Sequence, residues 1–440
     1  MSRVVFSVIG SLGDLHPQIA VGLELRRRGH AVSFCTFASC APMLRALGFG
    51  FHPLEPDLAA EEGLVAANHE EIMDPMRGFE RLLCKYILPH LRATYNDLSR
   101  AVAADGGADL LVTGELVYPA PLLAEKIGIP WATSITTPTA FYSAYELPVL
   151  PPIPRLSLIL RRMGPGVSRS ILRIVRLTTR SWGKPVRQLR ADLGLSPGRD
   201  PLYEGRYSPQ LVLALFSPSL ARRQPDWPPN TVVTGFPFYD GTSKGEALAP
   251  ELERFLSAGE PPVVFTLGSA AVKAPGSFYE ASAGAATLLR RRAVLLVGDN
   301  PAPANLPAQI FAADYAPYSI LFPRTVAVVH QGGIGTTGQA ARAGCPMLVM
   351  PFNFDQPDNA ERMVRLGVGR TIRRREYTAD RAARELATLL DNPAYTQAAK
   401  SLGQRMQTER GAETAADALE NLLATGRAVG HPSSSGSVSK

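Results

Sequence analysis

Residues His330–Asn359 read HQGGIGTTGQAARAGCPMLVMPFNFDQPDN. An apolar run, Val326–His330, ends on the histidine. Gly332, Gly333 and Gly335 follow, and Thr336 and Thr337 open a helix expected over Thr336–Arg342. Glycines let backbone N–H groups approach an anion, and a helix N-terminus adds positive potential. The threonine hydroxyls and the His330 imidazole can donate to phosphate oxygens, so the stretch reads as a pyrophosphate cradle. Taken alone, such a turn is equally a tight corner with a helix cap. Its spacing is not GxGxxG, and it lacks a P-loop lysine. A second apolar run, Met347–Met350, leads to Phe352-Asn353-Phe354-Asp355-Gln356 and a helix expected over Asp355–Arg365. A carboxylate beside a carboxamide can accept from and donate to the vicinal hydroxyls of a sugar; Asp355 can also cap the helix it opens. In an open parallel sheet, ligands bind beyond the carboxyl ends of the strands, where both pieces lie.

The same alternation extends outward. Pro262–Leu267, Phe278–Arg290 and Ala293–Val297 read as strand, helix, strand. The pattern also runs through the first half: Val4–Ile9, a helix over Pro17–Arg28, then Ala31–Thr36, and later Leu110–Thr113, Ala120–Ile127 and Trp131–Ile135. Strands without in–out alternation, separated by helices, indicate parallel sheets buried on both faces. The expected architecture is α/β, with two Rossmann-like doubly wound domains facing a central cleft. A Pro- and Gly-rich break near Gln224–Pro250 separates them. The divisions drawn are 1–230, with a basic helical excursion at 155–184, a linker at 231–250, a second domain at 251–425 and a disordered tail at 426–440.

With 440 residues, 45% of them hydrophobic and 19% charged, the chain has ample material for buried cores. This excludes wholly disordered, collagen-like and disulfide-framework classes. Forty-six Lys+Arg against 39 Asp+Glu give a net charge of +7, too dilute to indicate nucleic acid or membrane. The four cysteines form no CxxC pair, so neither zinc nor disulfides are indicated and a reducing compartment fits. Val4–Ile9 is too short for a signal-peptide core, and no window carries the roughly 18 apolar residues of a membrane span. The expected location is cytoplasmic, at most peripheral to the inner face of a membrane.

His330–Asn359 resembles the donor-binding signature of the family 1 glycosyltransferases of the GT-B fold, the UDP-glycosyltransferase superfamily. Within it the sequence is most similar to bacterial rhamnolipid-type rhamnosyltransferases and sterol-type glucosyltransferases. The resemblance covers nearly the whole chain. It takes in Gly10-Ser11-Leu12-Gly13-Asp14-Leu15-His16-Pro17, Gln224-Pro225-Asp226-Trp227-Pro228, Thr234-Gly235-Phe236-Pro237, Leu267-Gly268-Ser269 and Tyr315-Ala316-Pro317-Tyr318.

The resemblance implies an inverting, metal-independent transfer of a hexose from a UDP- or dTDP-sugar, the co-substrate, to a hydroxyl of a lipophilic small molecule, with no cofactor, metal or nucleic acid. His330 would contact the diphosphate, with Gly332, Gly333, Gly335, Thr336 and Thr337 completing the cradle. Gly268 and Ser269 would touch the phosphates, while Asp355 and Gln356 would hold the sugar. Tyr315 stands where many relatives stack a Trp on the nucleobase, and Ala316 would offer its backbone to the base edge. The ribose-binding Glu of many eukaryotic relatives is missing; Gln339 is the nearest polar substitute. Asp14 occupies the position of the catalytic base, which takes the acceptor proton. It can also cap the helix expected from Pro17. His16 is the second candidate, and Glu115 lies near where plant members keep an Asp that orients their base.

Acceptors of this fold bind the N-terminal half. Phe141, Tyr142, Tyr145 and Leu147, with Met73, Met76, Phe79 and Leu83, are candidate wall residues or core. Arg155–Trp182 mixes Leu and Ile with arginines and has no acid. It reads as a membrane-facing helix pair or a lid over a greasy acceptor, against a plain excursion packed on the first domain. Two other functions fit parts of the pattern: a non-catalytic nucleotide-sugar-binding protein and a GT-B-fold UDP-sugar epimerase.

Overall fold

The computed structural model describes residues 1–57, 69–239, 241 and 247–426. All of the expected tail except Gly426, and Asp240 and 242–246 of the expected linker, lie outside the described residues.

Thirteen strands are present among the described residues: β1 (Arg3–Ser7), β2 (Ala31–Thr36), β3 (Gly50–Pro53), β4 (Leu110–Gly114), β5 (Trp131–Ile135), β6 (Leu211–Ala214), β7 (Thr231–Val233), β8 (Val263–Thr266), β9 (Ala293–Leu296), β10 (Ile310–Ala313), β11 (Ala327–His330), β12 (Met347–Val349) and β13 (Gly369–Thr371). They form two sheets, ordered β3-β2-β1-β4-β5-β6-β7 and β10-β9-β8-β11-β12-β13. Every pairing is parallel, with Val5 opposite Ser33 on one side and Leu111 on the other. The central strands are buried on both faces, so they read as unbroken apolar runs. The strand order reverses between β1 and β4 in the first sheet and between β8 and β11 in the second. Ligand crevices open at such switch points; Asp14, Glu115, Gly268, His330 and Asp355 follow these four strands or their neighbours, and Tyr315 and Ala316 follow β10 at the sheet's edge.

Three boundaries differ from expectation, the first being that β7 (Thr231–Val233), inside the linker expected at 231–250, pairs with β6 as the edge strand of the first sheet. The first helix runs Leu12–Arg27 and passes through Pro17. It starts five residues before the expected proline because Ser11 and Asp14 form a reciprocal capping box that secures its first turn. The last helix, Gly411–Thr425, leaves the second half and packs on the first. Its Ala415, Ala416, Leu419 and Leu422 share one core with Ile19 and Leu25. Arg28 bridges Asp417 at 2.5 Å and Glu420 at 2.7 Å. The apolar stripe of this helix finds its partner on the Leu12–Arg27 helix, so 251–425 is not one packing unit.

The two halves also meet beside the cleft. Asn353 Nδ2 donates to the carbonyls of Ile72 at 3.0 Å and Asp74 at 2.9 Å. Arg362, buried, pairs with Asp358 at 2.7 Å and with Glu146 at 3.0 Å. Asp358 accepts from the Val149 N–H and from Arg161, both at 2.9 Å. Such a network is costly to break from one side, because it would leave a buried charge unpaired. The four cysteines are free, and Cys35 and Cys345 are buried.

Candidate active site

The turn after β1 carries Asp14. Its Oδ2 accepts from the Ser11 backbone N–H at 2.8 Å and from the Ser11 hydroxyl at 3.2 Å. Its Oδ1 accepts from the Thr136 hydroxyl at 3.2 Å, reaching across to the turn after β5. The carboxylate folds back so closely that a Cβ on Gly10 would sit 2.4 Å from Oδ2; only glycine fits there. Burial raises the Asp14 carboxyl above its ordinary range, and the three hydrogen bonds oppose that. Glu115, after β4, pairs with Arg206 at 3.0 Å. Burial raises its carboxyl too, and the Asp14 charge adds to the rise against Arg206.

The turn after β11 is built differently. The Gly333-led helix, Ile334–Arg342, has no side-chain cap, so its first N–H groups are left for another acceptor. His330 is buried, and that burial pushes its imidazole down to about 3, so it is neutral. Its Nδ1 accepts from the Gly332 N–H at 3.0 Å, which assigns the proton to Nε2. Nε2–H is buried and has no partner. Gly332 has φ +92, and a Cβ there would lie 2.8 Å from Val349 and 3.0 Å from the Gln356 carbonyl. Gln331 is buried with Oε1 unpartnered, and its amide nitrogen lies where a Cβ on Gly268 or Gly333 would fall.

The two turns face each other. A Cβ on Gly335 would meet Gly13 Cα at 3.6 Å. Asp355, at the start of the Gln356–Arg365 helix, accepts from Asn359 Nδ2 at 2.6 Å. Burial first, then the Asp14 charge, pushes its carboxyl up to about 7. Gln356 Oε1 accepts from the Phe352 N–H at 2.9 Å, which leaves its amide nitrogen as the donor end. Thr336 hydrogen-bonds Tyr318, whose hydroxyl also meets Thr266 at 2.8 Å. Gly268 is partly buried and Ser269 exposed, in the short helix after β8. Tyr315 is exposed beside buried Ala316, and Gln339 is buried.

Several expected site residues do something else. The Thr337 hydroxyl donates to the Gly333 carbonyl at 2.9 Å and is buried in its own helix. That proton is not offered to a ligand. The His16 ring sits edge-on to Tyr239, with centroids 5.2 Å apart. Phe141 is core and not wall: it stacks on Trp227 at 4.0 Å and borders Phe216. A large aromatic in this turn buries more surface against Trp227 than a cleft wall would offer it. Leu147 is likewise fully buried. Asp226 pins the next turn through the Ser143 hydroxyl at 2.6 Å and the Ala144 N–H at 2.7 Å. The wall residues that stay available are Tyr142, partly buried beside Arg206, and Tyr145, exposed. Of the remaining candidates, Met73 is buried in the core of the second half and Leu83 in that of the first. Met76 is exposed, and Phe79 lies 6.4 Å from Trp182.

Sequence reasoning missed Thr136, Arg206, Gln331 and Asn359. Thr136 is 122 residues from Asp14, and Arg206 is 91 from Glu115, so no local signal pairs them. Ser11 with Asp14 was legible as a Ser-x-x-acid capping pattern.

Residues 4–138 match the N-terminal domain of glycosyltransferase family 28, and residues 293–422 match the C-terminal domain of the erythromycin biosynthesis protein CIII-like type. O-mycaminosyltylonolide 6-deoxyallosyltransferase of Streptomyces fradiae is 32% identical over 436 residues, covering 96% of this chain and 98% of that protein. A sterol 3-beta-glucosyltransferase of Leptosphaeria maculans is 26% identical over 97% of this chain, though that spans only 29% of its own length. The solved structure of the spinosyn rhamnosyltransferase SpnG complexed with thymidine diphosphate superposes with a TM-score of 0.64. It is 18% identical and covers 96% of this chain and 100% of that one, a likeness of fold.

Proposed function

This chain belongs to the glycosyltransferases of the GT-B fold, and we propose that it moves a hexose from a UDP- or dTDP-sugar to a hydroxyl of a lipophilic small molecule, with inversion. The observation that carries this reading is the buried, neutral His330 with its unpartnered Nε2–H beside an uncapped helix N-terminus. A buried donor without an acceptor is a standing cost of about 1–3 kcal/mol. A diphosphate oxygen removes it.

In this reading the diphosphate lies against the His330 Nε2–H, the N–H groups of Gly333 and Gly335, and the Thr336 and Ser269 hydroxyls, while the Gly332 N–H stays on His330 Nδ1 and fixes its tautomer. Asp355 and Gln356 hold the sugar hydroxyls, and Tyr315 stacks on the base with Ala316 at its edge. Asp14 takes the proton of the acceptor hydroxyl. The acceptor oxygen forms its bond to the anomeric carbon as the bond from that carbon to the diphosphate breaks, and the diphosphate leaves with the electron pair. A single displacement inverts the configuration. Preorganised N–H groups meet the growing leaving-group charge, so the reading gives no role to a metal. Burial raises the basicity of Asp14, which strengthens it as a base near neutral pH. Tyr142, Tyr145 and the Glu115–Arg206 pair border the acceptor. The complex of SpnG with thymidine diphosphate, and the transfer of a 6-deoxy sugar named for the Streptomyces relative, support a nucleoside diphosphate donor.

A thermal-shift panel of nucleotide sugars tests this. At 100 times its dissociation constant, a donor adds about 2.7 kcal/mol of stability. Stabilisation by a UDP- or dTDP-hexose that is lost in His330→Ala supports the reading; a panel with no response sinks it. The anomeric configuration of the product, read by NMR, decides inversion.

A further inference from the structure

We propose that the outer face of the helical hairpin formed by Pro154–Arg162 and Pro165–Thr179 is a docking surface for an anionic lipid bilayer. The inference goes beyond the reaction above and does not depend on it.

Charge is concentrated here. From Arg155 to Lys184 the chain carries eight Arg and Lys and no Asp or Glu, more than the +7 of the whole protein. Two of these arginines form ion pairs, Arg161 with Asp358 and Arg176 with Glu204. Arg155 lies near enough to Glu376 to help lower its carboxyl, which a hydrogen bond from Arg373 chiefly holds down. Arg155, Arg162, Arg169, Arg173 and Arg180 are exposed.

Large apolar side chains stand beside them. Leu156, Ile159 and Met163 are 46%, 57% and 61% exposed, at the i, i+3, i+7 spacing of one stripe. On the second helix, Ile174 and Leu177 are 60% and 69% exposed. At 100° per residue, Arg155 and Arg162 flank the first stripe along one edge, and Arg169, Arg173 and Arg180 flank the second. Each helix therefore presents aliphatic residues with a cationic margin. These are aliphatic side chains, without the Trp and Tyr anchors that dominate protein–protein hot spots. Leu, Ile and Met entering the acyl boundary, with arginines reaching to lipid phosphates, is the pattern of a helix lying in a membrane interface. Neither helix is long and apolar enough to cross one.

The inner face of the hairpin explains the placement. Leu172, Leu160 and Ile171 pack on Ala144, Leu147 and Tyr142. Arg161 holds the Leu147 carbonyl at 2.8 Å. The hairpin thus sits directly on the turn that carries Tyr142 and Tyr145, and docking would bring a bilayer beside the acceptor wall.

Vesicle co-sedimentation of the full chain tests this. Binding is expected to vesicles of phosphatidylcholine with phosphatidylglycerol at low salt, but not to phosphatidylcholine alone, and it should weaken as salt screens the arginines. Arg169→Gln with Arg173→Gln should lower affinity about 25-fold, at about fivefold per arginine. Ile174→Ser with Leu177→Ser should also weaken binding, and lower salt should not restore it. All four side chains are exposed, so melting temperature and turnover of a dissolved acceptor should stay at the parent values. If one pair fails to fold, Arg155→Gln with Arg162→Gln replaces it. Absence of binding to the anionic vesicles at low salt overturns the proposal, as does wild-type affinity in the substituted pairs. So does a dimer in size-exclusion chromatography that Ile174→Ser with Leu177→Ser dissociates, because a second copy would then cover this face.

Discussion

The turns after β1 and β11 are alike in outline and opposite in chemistry. Each ends a central parallel strand at a switch point and begins a helix facing the cleft. After β1, the helix N-terminus is occupied by the chain's own carboxylate: Asp14 accepts from Ser11 twice and from Thr136. After β11 no side chain caps the helix, and the one titratable group, His330, is neutral with a free N–H. A diphosphate brought to the first turn meets an acidic side chain; brought to the second it meets the His330 Nε2–H and an uncapped helix N-terminus. In the proposed reading this difference sorts donor and acceptor between the lobes, and it teaches that a shared strand–helix corner is suited to an anion by whether it is already capped.

The comparison can be broken most sharply at Asp14. Asp14→Asn should cost about 10²- to 10⁴-fold in kcat and leave donor-induced stabilisation intact; steady-state rates beside thermal shifts read both. Unchanged turnover would end its assignment as base. Next in size, His330→Ala should lower kcat/KM by about 10²- to 10³-fold and weaken the donor as well. Because the imidazole stays neutral down to about 3 while Asp355 on the sugar titrates at about 7, donor affinity from isothermal titration should be flat between about pH 5 and pH 8 once Asp355→Asn removes the second group. An affinity that rises toward acid would show a charged His330 and blur the contrast.

Asp355 sharpens it through stability. Its carboxyl, pushed up to about 7 from an ordinary 3.8, keeps its proton in the folded chain where the unfolded chain has lost it. The folded state then binds more protons, so stability falls as pH rises from about 4 to about 7. In Asp355→Asn the melting temperature should fall less between about pH 5 and pH 8 than in the parent; an identical fall would remove the shift. The smallest effect belongs to Ser11→Ala, about 1 kcal/mol in chemical denaturation for the lost cap. The Ser11 bonds lower the Asp14 carboxyl, so their loss should move the acid limb of the pH–rate profile upward, as should Thr136→Val.

Much of this was legible before folding. The apolar runs locate eight of the thirteen strands among the described residues to within a residue or two, because burial on two faces leaves an unalternated run, whereas β3, β6, β7, β10 and β13 are short and do not stand out from their surroundings. The glycines after His330 and the Ser11–Asp14 spacing are likewise local chemistry. Phe141 was not legible, because an aromatic beside Tyr142 and Tyr145 looks the same whether it lines a cleft or stacks on Trp227, 86 residues further on. Nor was the role of Thr337, whose hydroxyl could as well have faced a ligand as the carbonyl four residues back.

By itself, then, the sequence determined the two parallel α/β halves, the glycine turn after His330 and the acid after the first strand, since periodicity and turn chemistry act over a few residues; that the glycine turn is uncapped is seen only in the fold. The tertiary structure alone decided that Thr136 steadies Asp14, that Arg206 answers Glu115, that the Asp14 charge adds to burial in raising the Glu115 and Asp355 carboxyls, and that the final helix returns to the first. Those outcomes depend on burial and on partners about a hundred or more residues away, and neither leaves a mark in the local pattern.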